Sequence, residues 1–402
     1  MPPEPTTAAA LTGRAAGVVD DLAADLVALR RDLHAHPELS WREERTTALL
    51  AERLKAAGLA PTPIGSTGLL VDVGSGSPDG PVVALRADLD ALPVGDLTDD
   101  PWCSTVDGVA HACGHDVHTA GLLGAGLALA TFAADLPGTV RLIFQPAEET
   151  MPGGALASVE AGALAGVSRI FGLHCDPTVD VGSLGLRSGP LTGASDALDV
   201  RLFGGGGHTS RPHLTEDLTF ALGKLVTELP AVLSRRFDPR AGVSVVWGLL
   251  HAGSAMNVIP ASGRAAGTVR MLDAAAWAEA ETVVRSAIEQ IVAPYGLRTE
   301  VDYVRGVPPV INHPGATGEL GRAIDAVVGP DHHLSTAQSL GGEDFAWFLE
   351  HVPGAMARLG TRTPGGTTYD LHQGNLRVDD RAVAVAAKVL AAAAVEALTQ
   401  GR

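Results

Sequence analysis

The chain has 402 residues, 46% of them hydrophobic and 19% charged, which is the composition of a globular protein with material for more than one core. A formal net charge of −17 argues against phosphate-backbone binding, which needs clustered Lys and Arg, so no nucleic-acid partner is expected. The cysteines, Cys103, Cys113 and Cys175, are too sparse and too odd in number for a disulfide framework. The polar stretch Met1 to Gly13 lacks a basic segment followed by an apolar one, so the expectation is a cytoplasmic protein with no membrane partner.

In chain order, the periodicity predicts a long amphipathic helix from about Val18 to His34 and a second from about Arg42 to Ala57, stopped at Gly58. Apolar runs at Leu69–Val73, Val82–Ala87, Thr139–Gln145 and Arg169–His174 read as strands. Helices are expected between them at Asp116–Leu136 and Gly154–Ala163. The helix candidate from Thr119 on is Gly/Ala-rich, directly follows His and Asp, and reads as buried in protein. This alternation signals an α/β domain with a mixed, largely parallel sheet flanked by helices.

The pattern changes near Gly189. Asp196–Phe203 alternates polar and apolar like an antiparallel strand, then come a Gly-rich turn and a helix around Glu216–Ser234. Strands near Val243–Leu249 and Gly263–Met271, a helix around Ala274–Tyr295 and a strand over about Thr299–Val304 follow. The expected division is a catalytic domain over 1–191 and 307–402, with an α+β domain inserted at 192–306. The chain closes on an Ala-rich helix reaching Thr399.

The densest chemistry is His111-Ala-Cys-Gly-His-Asp-Val-His118, with metal-ligand types crowded just before a helix. Cys113 and His115 are two apart on a glycine-containing turn, so both can point at one centre. The plain alternative is a helix start capped by Asp116, and His118 suits packing. Glu148 and Glu149 follow the apolar strand Val140–Phe144, where one carboxylate can bind a metal and its neighbour can move a proton. A solvated Glu pair is the plain alternative there. His174 and His372, taken singly, fit a structural histidine as well as a ligand. All of these groups fall after predicted strands, the rim where open α/β sheets bind ligands. Five donors, Cys113, His115, Glu149, His174 and His372, exceed one tetrahedral catalytic site and suit two metals about 3.5–4 Å apart.

Taken in order, Arg31–Ser40, Arg86–Pro93, His111–His118, Gln145–Glu149, Asn257–Pro260 and Gly342–Phe345 resemble the amidohydrolase branch of the aminoacylase/carboxypeptidase-type di-metal peptidases. That branch includes hippurate hydrolases, indole-acetyl-amino-acid hydrolases and N-acyl-amino-acid amidohydrolases. The resemblance implies the di-metal exopeptidase fold, with Cys113, His115, Glu149, His174 and His372 as ligands of two divalent ions (Zn, Mn, Co or Ni). It implies Glu148 as the proton shuttle, and Asp88 is expected behind the ligands. The inserted domain is implied to be a lid through which the chain forms a homodimer. His208 would then reach the partner's active site, and Asn257 and Arg270 would hold the substrate carboxylate. The implied reaction releases an amino acid from a small N-acyl amino acid. The chain departs from the family where His372-Gln-Gly-Asn-Leu replaces a Ser-Pro-aromatic run, and where Pro212–Leu218 lacks an Asp-Pro. A hydrolase using Cys113 as nucleophile and His115 as base is the enzymatic alternative. A non-catalytic metal- or ligand-binding homologue is the other.

Overall fold

The computed structural model describes residues 7–74 and 80–400. Within them the chain forms two compact units. The first holds the described residues up to Leu191, then Ile311–Ala337, then those from Asp344 on. The second holds Thr192–Val310 and Gln338–Glu343.

The first unit is built on an eight-stranded sheet. Its order is Thr62–Pro63, Leu69–Gly74, Thr139–Gln145, Val82–Asp88, Val167–Asp180, Gly354–Arg362, Leu184–Leu186 and His333–Ser335. Val82–Asp88 lies parallel to both its neighbours, and Gly354–Arg362 runs parallel to Val167–Asp180. Antiparallel pairs occur at Leu69–Gly74 and Leu184–Leu186, so the sheet is mixed and mostly parallel, as expected from the sequence. Val82–Asp88 is almost wholly buried, which explains why its residues up to Ala87 are apolar apart from Arg86.

Helices Ala8–Ala35, His115–Ala130 and Arg381–Gln400 pack together over this sheet. The first begins ten residues before the expected Val18, because the Thr7 hydroxyl accepts the Ala10 N–H and caps it. The segment Met1–Gly13 is therefore helical from Ala8, and its first six residues lie outside those described. His115–Ala130 is apolar on all sides and buried, as a core helix must be. A Cβ on Gly121 would stand 2.7 Å from Cβ of Ala386, so glycine there allows the two helices to meet. Arg381–Gln400 is long and apolar enough to cross a membrane by length and composition. In the fold 72% of its apolar window is buried against the core.

The second unit is a four-stranded antiparallel sheet, ordered Ser244–Ala252, Ser262–Met271, Ala194–Phe203, Arg298–Val307. Helices Leu218–Arg236 and Ala274–Val292 cover one side, and their apolar stripes share a core with Leu198, Val200, Ala265 and Val269. A separate ribbon pairs Gly207–His208 with Val258–Ile259.

Candidate metal centre

Within the first unit, loops following the strands Val82–Asp88 and Thr139–Gln145 bring Asp90 and the pair Glu148–Glu149 together. His174 was expected at a strand end. The strand instead continues to Asp180, which places His174 inside it, opposite Arg358. Cys113 and His115 flank Gly114, whose φ of 84° suits glycine. A Cβ on that glycine would stand 2.7 Å from Cys175 Sγ, so the turn before the helix tolerates no larger residue.

The donor atoms of Cys113, His115 and His174 lie within 4.8 Å of one another, and so do those of Cys113, Glu149 and His372. The two groups share Cys113. His115 Nε2 stands 3.8 Å from Glu149 Oε1 and 4.0 Å from Glu148 Oε2, and His372 Nε2 stands 3.3 Å from Glu149 Oε1. Cys113 Sγ lies 3.7 Å from His174 Nε2. Cys113, His115 and His174 are buried, whereas the His372 side chain is 55% exposed.

Each imidazole is aimed through its other nitrogen. His115 Nδ1 donates to the Asp90 carbonyl at 2.9 Å, and His174 Nδ1 donates to the Cys175 carbonyl at 2.8 Å. Both Nε2 lone pairs therefore face the cluster. His115 Nε2 and Glu149 Oε1 are buried without a hydrogen-bond partner. Orphaned acceptors of this kind are costly unless something positive sits between them. Burial works against a charged His115, but Asp88 and Cys113 more than offset it and lift its pKa well above the usual value. The pocket thus favours positive charge at this spot, from a proton or from a cation. Burial, with Glu149 adding to it, pushes the Cys113 thiol well up. Burial, with Arg358 adding to it, pushes His174 well down, which keeps that imidazole neutral and able to ligate. The donor set fits a pair of divalent cations.

His372 has φ of 62°, a strained value for a residue with a side chain, and its N–H donates to the Ala112 carbonyl at 2.7 Å. The departure Gln373-Gly374 finds its reason close by. A Cβ at Gly374 would fall 1.9 Å from the Gly95 carbonyl oxygen, so the run after His372 is shaped to the loop that follows Pro93.

Asp88 lies behind the donors. Its Oδ2 accepts from Arg86 Nη1 at 2.7 Å and stands 3.7 Å from His115 Nε2, and its Oδ1 accepts from His118 Nδ1 at 2.6 Å. His118 Nε2 accepts the Cys175 N–H at 2.8 Å, so His118 has no lone pair left for a ligand.

In the second unit His208 and Asn257 sit side by side on the two-stranded ribbon: His208 pairs with Val258, and the Asn257 carbonyl accepts the Thr209 N–H at 3.3 Å. Both are exposed. Arg270, near the far end of Ser262–Met271, donates to the Leu340 carbonyl at 2.7 Å. Eight residues separate Ser262 from Arg270, which at roughly 3.3 Å per residue is about 26 Å. The ribbon carrying Asn257 and His208 leaves the sheet at the Ser262 end, where the Gly204 N–H donates to the Ala261 carbonyl, and Arg270 lies toward the other end of the strand.

Residues 84–396 match the pattern of the peptidase family M20/M25/M40. The chain belongs to this family. With it, the chain belongs to the hydrolases. The N-acetyl-L-cysteine deacetylase of Bacillus subtilis is 38% identical over 359 residues, 89% of this chain and 84% of that enzyme. A Rhodococcus jostii protein named as a candidate glutamate–cysteine ligase is 52% identical over 368 residues, 91% of this chain. The chain spans only 46% of that longer protein. The crystal structure of the Bacillus subtilis YXEP protein, described as a dinuclear metal-binding peptidase of family M20, superposes with a TM-score of 0.81 at 34% identity, covering 94% of this chain and 99% of that one.

Several M20/M25/M40 site neighbours carry no distinguishing mark in the sequence. Asp90 accepts the backbone N–H of Glu148 at 3.1 Å and of Glu149 at 2.9 Å, and receives the Ser40 hydroxyl at 2.6 Å. Asp116 does not simply cap its helix. It accepts from His34 Nδ1 at 2.8 Å and is ion-paired with Arg30, whose Nε stands 2.8 Å away, all three side chains being buried. Burial opposes its charge, yet Arg30 and His34 hold its carboxyl well below the usual range. Arg86 carried a signal that could be read: a lone arginine inside an otherwise apolar strand needs buried partners.

Proposed function

We propose that this chain hydrolyses the amide bond of small N-acyl amino acids, releasing a carboxylic acid and a free amino acid in the cytoplasm. The observation that carries the reading is the pair of donor groups sharing buried Cys113, with the Glu148 carboxylate beside them. Cys113, His115 and His174 would hold one divalent ion, and Cys113, Glu149 and His372 the other. Such ions polarise a carbonyl and lower the pKa of water. A thiolate among the donors favours Zn, with Co, Ni or Mn as alternatives. Glu148 Oε2 takes the proton of the attacking water and passes it to the leaving amine nitrogen. Asp88 and Asp90 hold the imidazoles and the Glu148–Glu149 backbone while this happens. The deacetylase relative supports the substrate class. Against a Cys113 nucleophile stands its raised pKa, since the thiolate is the reactive form.

The test is amine release from N-acetyl, N-benzoyl and indole-acetyl amino acids, before chelation, after it, and after adding back Zn, Mn or Co. Release should vanish on chelation and return with metal. Turnover that survives complete metal removal, or that is lost to thiol alkylation with the metal retained, would sink the reading.

The second unit is proposed as a lid and dimerisation domain, with a homodimer as the working form. Ser244–Ala252 is an edge strand with Val246 62% and Leu250 57% exposed, and unpaired apolar edges invite pairing with another chain. The spacing of Arg270 from Asn257 and His208 supports it, because one substrate could meet all three only if two copies contribute. In this arrangement Arg270 of one protomer grips the substrate carboxylate together with the partner subunit's Asn257, while the partner subunit's His208 donates to the developing oxyanion. Val246→Lys with Leu250→Lys should yield a monomer by light scattering, with turnover lost and the metal retained. A wild-type monomer at working concentration, or a fully active monomeric variant, would refute it.

A further inference from the structure

Glu43 is a fully buried carboxylate that the mechanism above does not use. It stands at the start of helix Glu44–Ala56, where an acidic side chain ordinarily caps its own helix. Here that task is taken by Glu38, whose Oε1 accepts the Arg45 N–H at 2.8 Å and whose Oε2 accepts the Thr46 N–H at 2.7 Å. The Glu43 side chain is thereby spared and turns inward, and its Oε1 accepts the Ala147 N–H at 2.8 Å.

Ala147 immediately precedes Glu148. It is fully buried and has φ of 53°, in the left-handed region that residues with a side chain avoid. Its carbonyl accepts the Gly154 N–H at 2.9 Å, so both of its backbone polar groups are tied. The next two N–H groups, of Glu148 and Glu149, are held by Asp90. Two buried carboxylates thus fix three successive amides. The segment carrying Glu43 also touches the Asp90 loop, through the Glu38 carbonyl with the Ala91 N–H at 2.8 Å and through Ser40 with Asp90.

We infer that Glu43 is a positioning residue: by holding Ala147 in the left-handed conformation, it aims the carboxylates of Glu148 and Glu149 into the donor cluster. It acts by reach and hydrogen-bond acceptance, whatever its charge. The inference rests on the proposed role of Glu148 and Glu149, and its test separates the two.

Glu43→Gln keeps an acceptor oxygen at the same reach, while Glu43→Asp keeps the carboxylate but shortens it by one methylene. Both changes are small enough to leave the fold in place, which thermal melting checks. With the N-acyl amino acid found for the wild type, kcat of Glu43→Asp should fall on the order of tenfold or more with KM little changed, since misplacement of a reacting group by about 1 Å can cost up to 10²-fold. Glu43→Gln should stay near wild type. Zinc titration of chelator-stripped protein should show the same order, with Glu43→Asp weakened through Glu149 and Glu43→Gln not. Glu43→Asp equal to wild type in both readouts, or Glu43→Gln failing as badly as Glu43→Asp, overturns the inference. If the wild type hydrolyses none of the panel, the amidohydrolase reading fails, and the zinc titration still decides the role of Glu43.

Discussion

Glu148→Gln should lose about 10²–10⁴-fold in kcat, the range that a positioned proton-transfer group contributes. The expected loss is confined to turnover. The Glu148 N–H is held by Asp90 whatever the side chain, and the two donor groups around Cys113 do not include Glu148. Metal content by mass spectrometry and the KM for an N-acyl amino acid should therefore stay close to wild type. The amide of glutamine fills the same volume but cannot take a proton at neutral pH. Loss of metal along with activity would make Glu148 a ligand, and a variant within threefold of wild-type kcat would remove it from the mechanism altogether.

Arg86→Met should cost about 3–5 kcal/mol of stability, the usual result of stripping one partner from a buried ion pair. Arg86 is 1% exposed, and it donates to Gln145 Oε1 at 2.8 Å, Asp88 Oδ2 at 2.7 Å and Asp344 Oδ1 at 2.7 Å. Asp344 also accepts from Gln145 Nε2 at 2.7 Å and from the Ala155 N–H at 3.0 Å. Methionine would fill much of the space but leave two buried carboxylates without their cation. Urea denaturation followed by circular dichroism measures the loss. Adding Asp344→Asn to Arg86→Met should recover part of it, because one of the two stranded charges disappears. An unaffected midpoint in the single variant would mean that the carboxylates find another cation or take up protons at little cost. Because Asp88 also faces His115, the same variant should bind metal less tightly.

Periodicity and residue type carried the elements and the chemistry. Thr139–Gln145 forms over the residues expected, and Val82–Asp88 and Leu69–Gly74 each run one residue past their expected ends, because runs rich in β-branched and apolar residues between turn residues leave a chain few alternatives. The mixed, mostly parallel sheet followed from the alternation of such runs with helices. The long extension of Val167–Asp180 was invisible: beyond His174 its pairing is with Gly354–Arg362, nearly two hundred residues away, and local pattern does not report distant hydrogen bonds.

For the candidate site, the sequence by itself determined which residues can ligate. Cys and His crowded on one turn, and a Glu pair after a strand, are local facts of spacing. Which atoms converge, and how they are aimed, was decided only by the tertiary structure. Glu43 and Glu44 stand side by side in the chain, yet one is buried against Ala147 and the other exposed. Nothing in Trp41-Arg-Glu-Glu-Arg separates them, because burial is a property of the partner surface. Asp90 reads as an ordinary loop acid until folding places the amides of Glu148 and Glu149, nearly sixty residues later, within reach of its oxygens. Hydrogen bonds form wherever folding leaves donor and acceptor within about 3 Å of one another. Spacing along the chain fixes that geometry inside a turn or a helix. Across loops it is fixed by the packing of the elements that carry them.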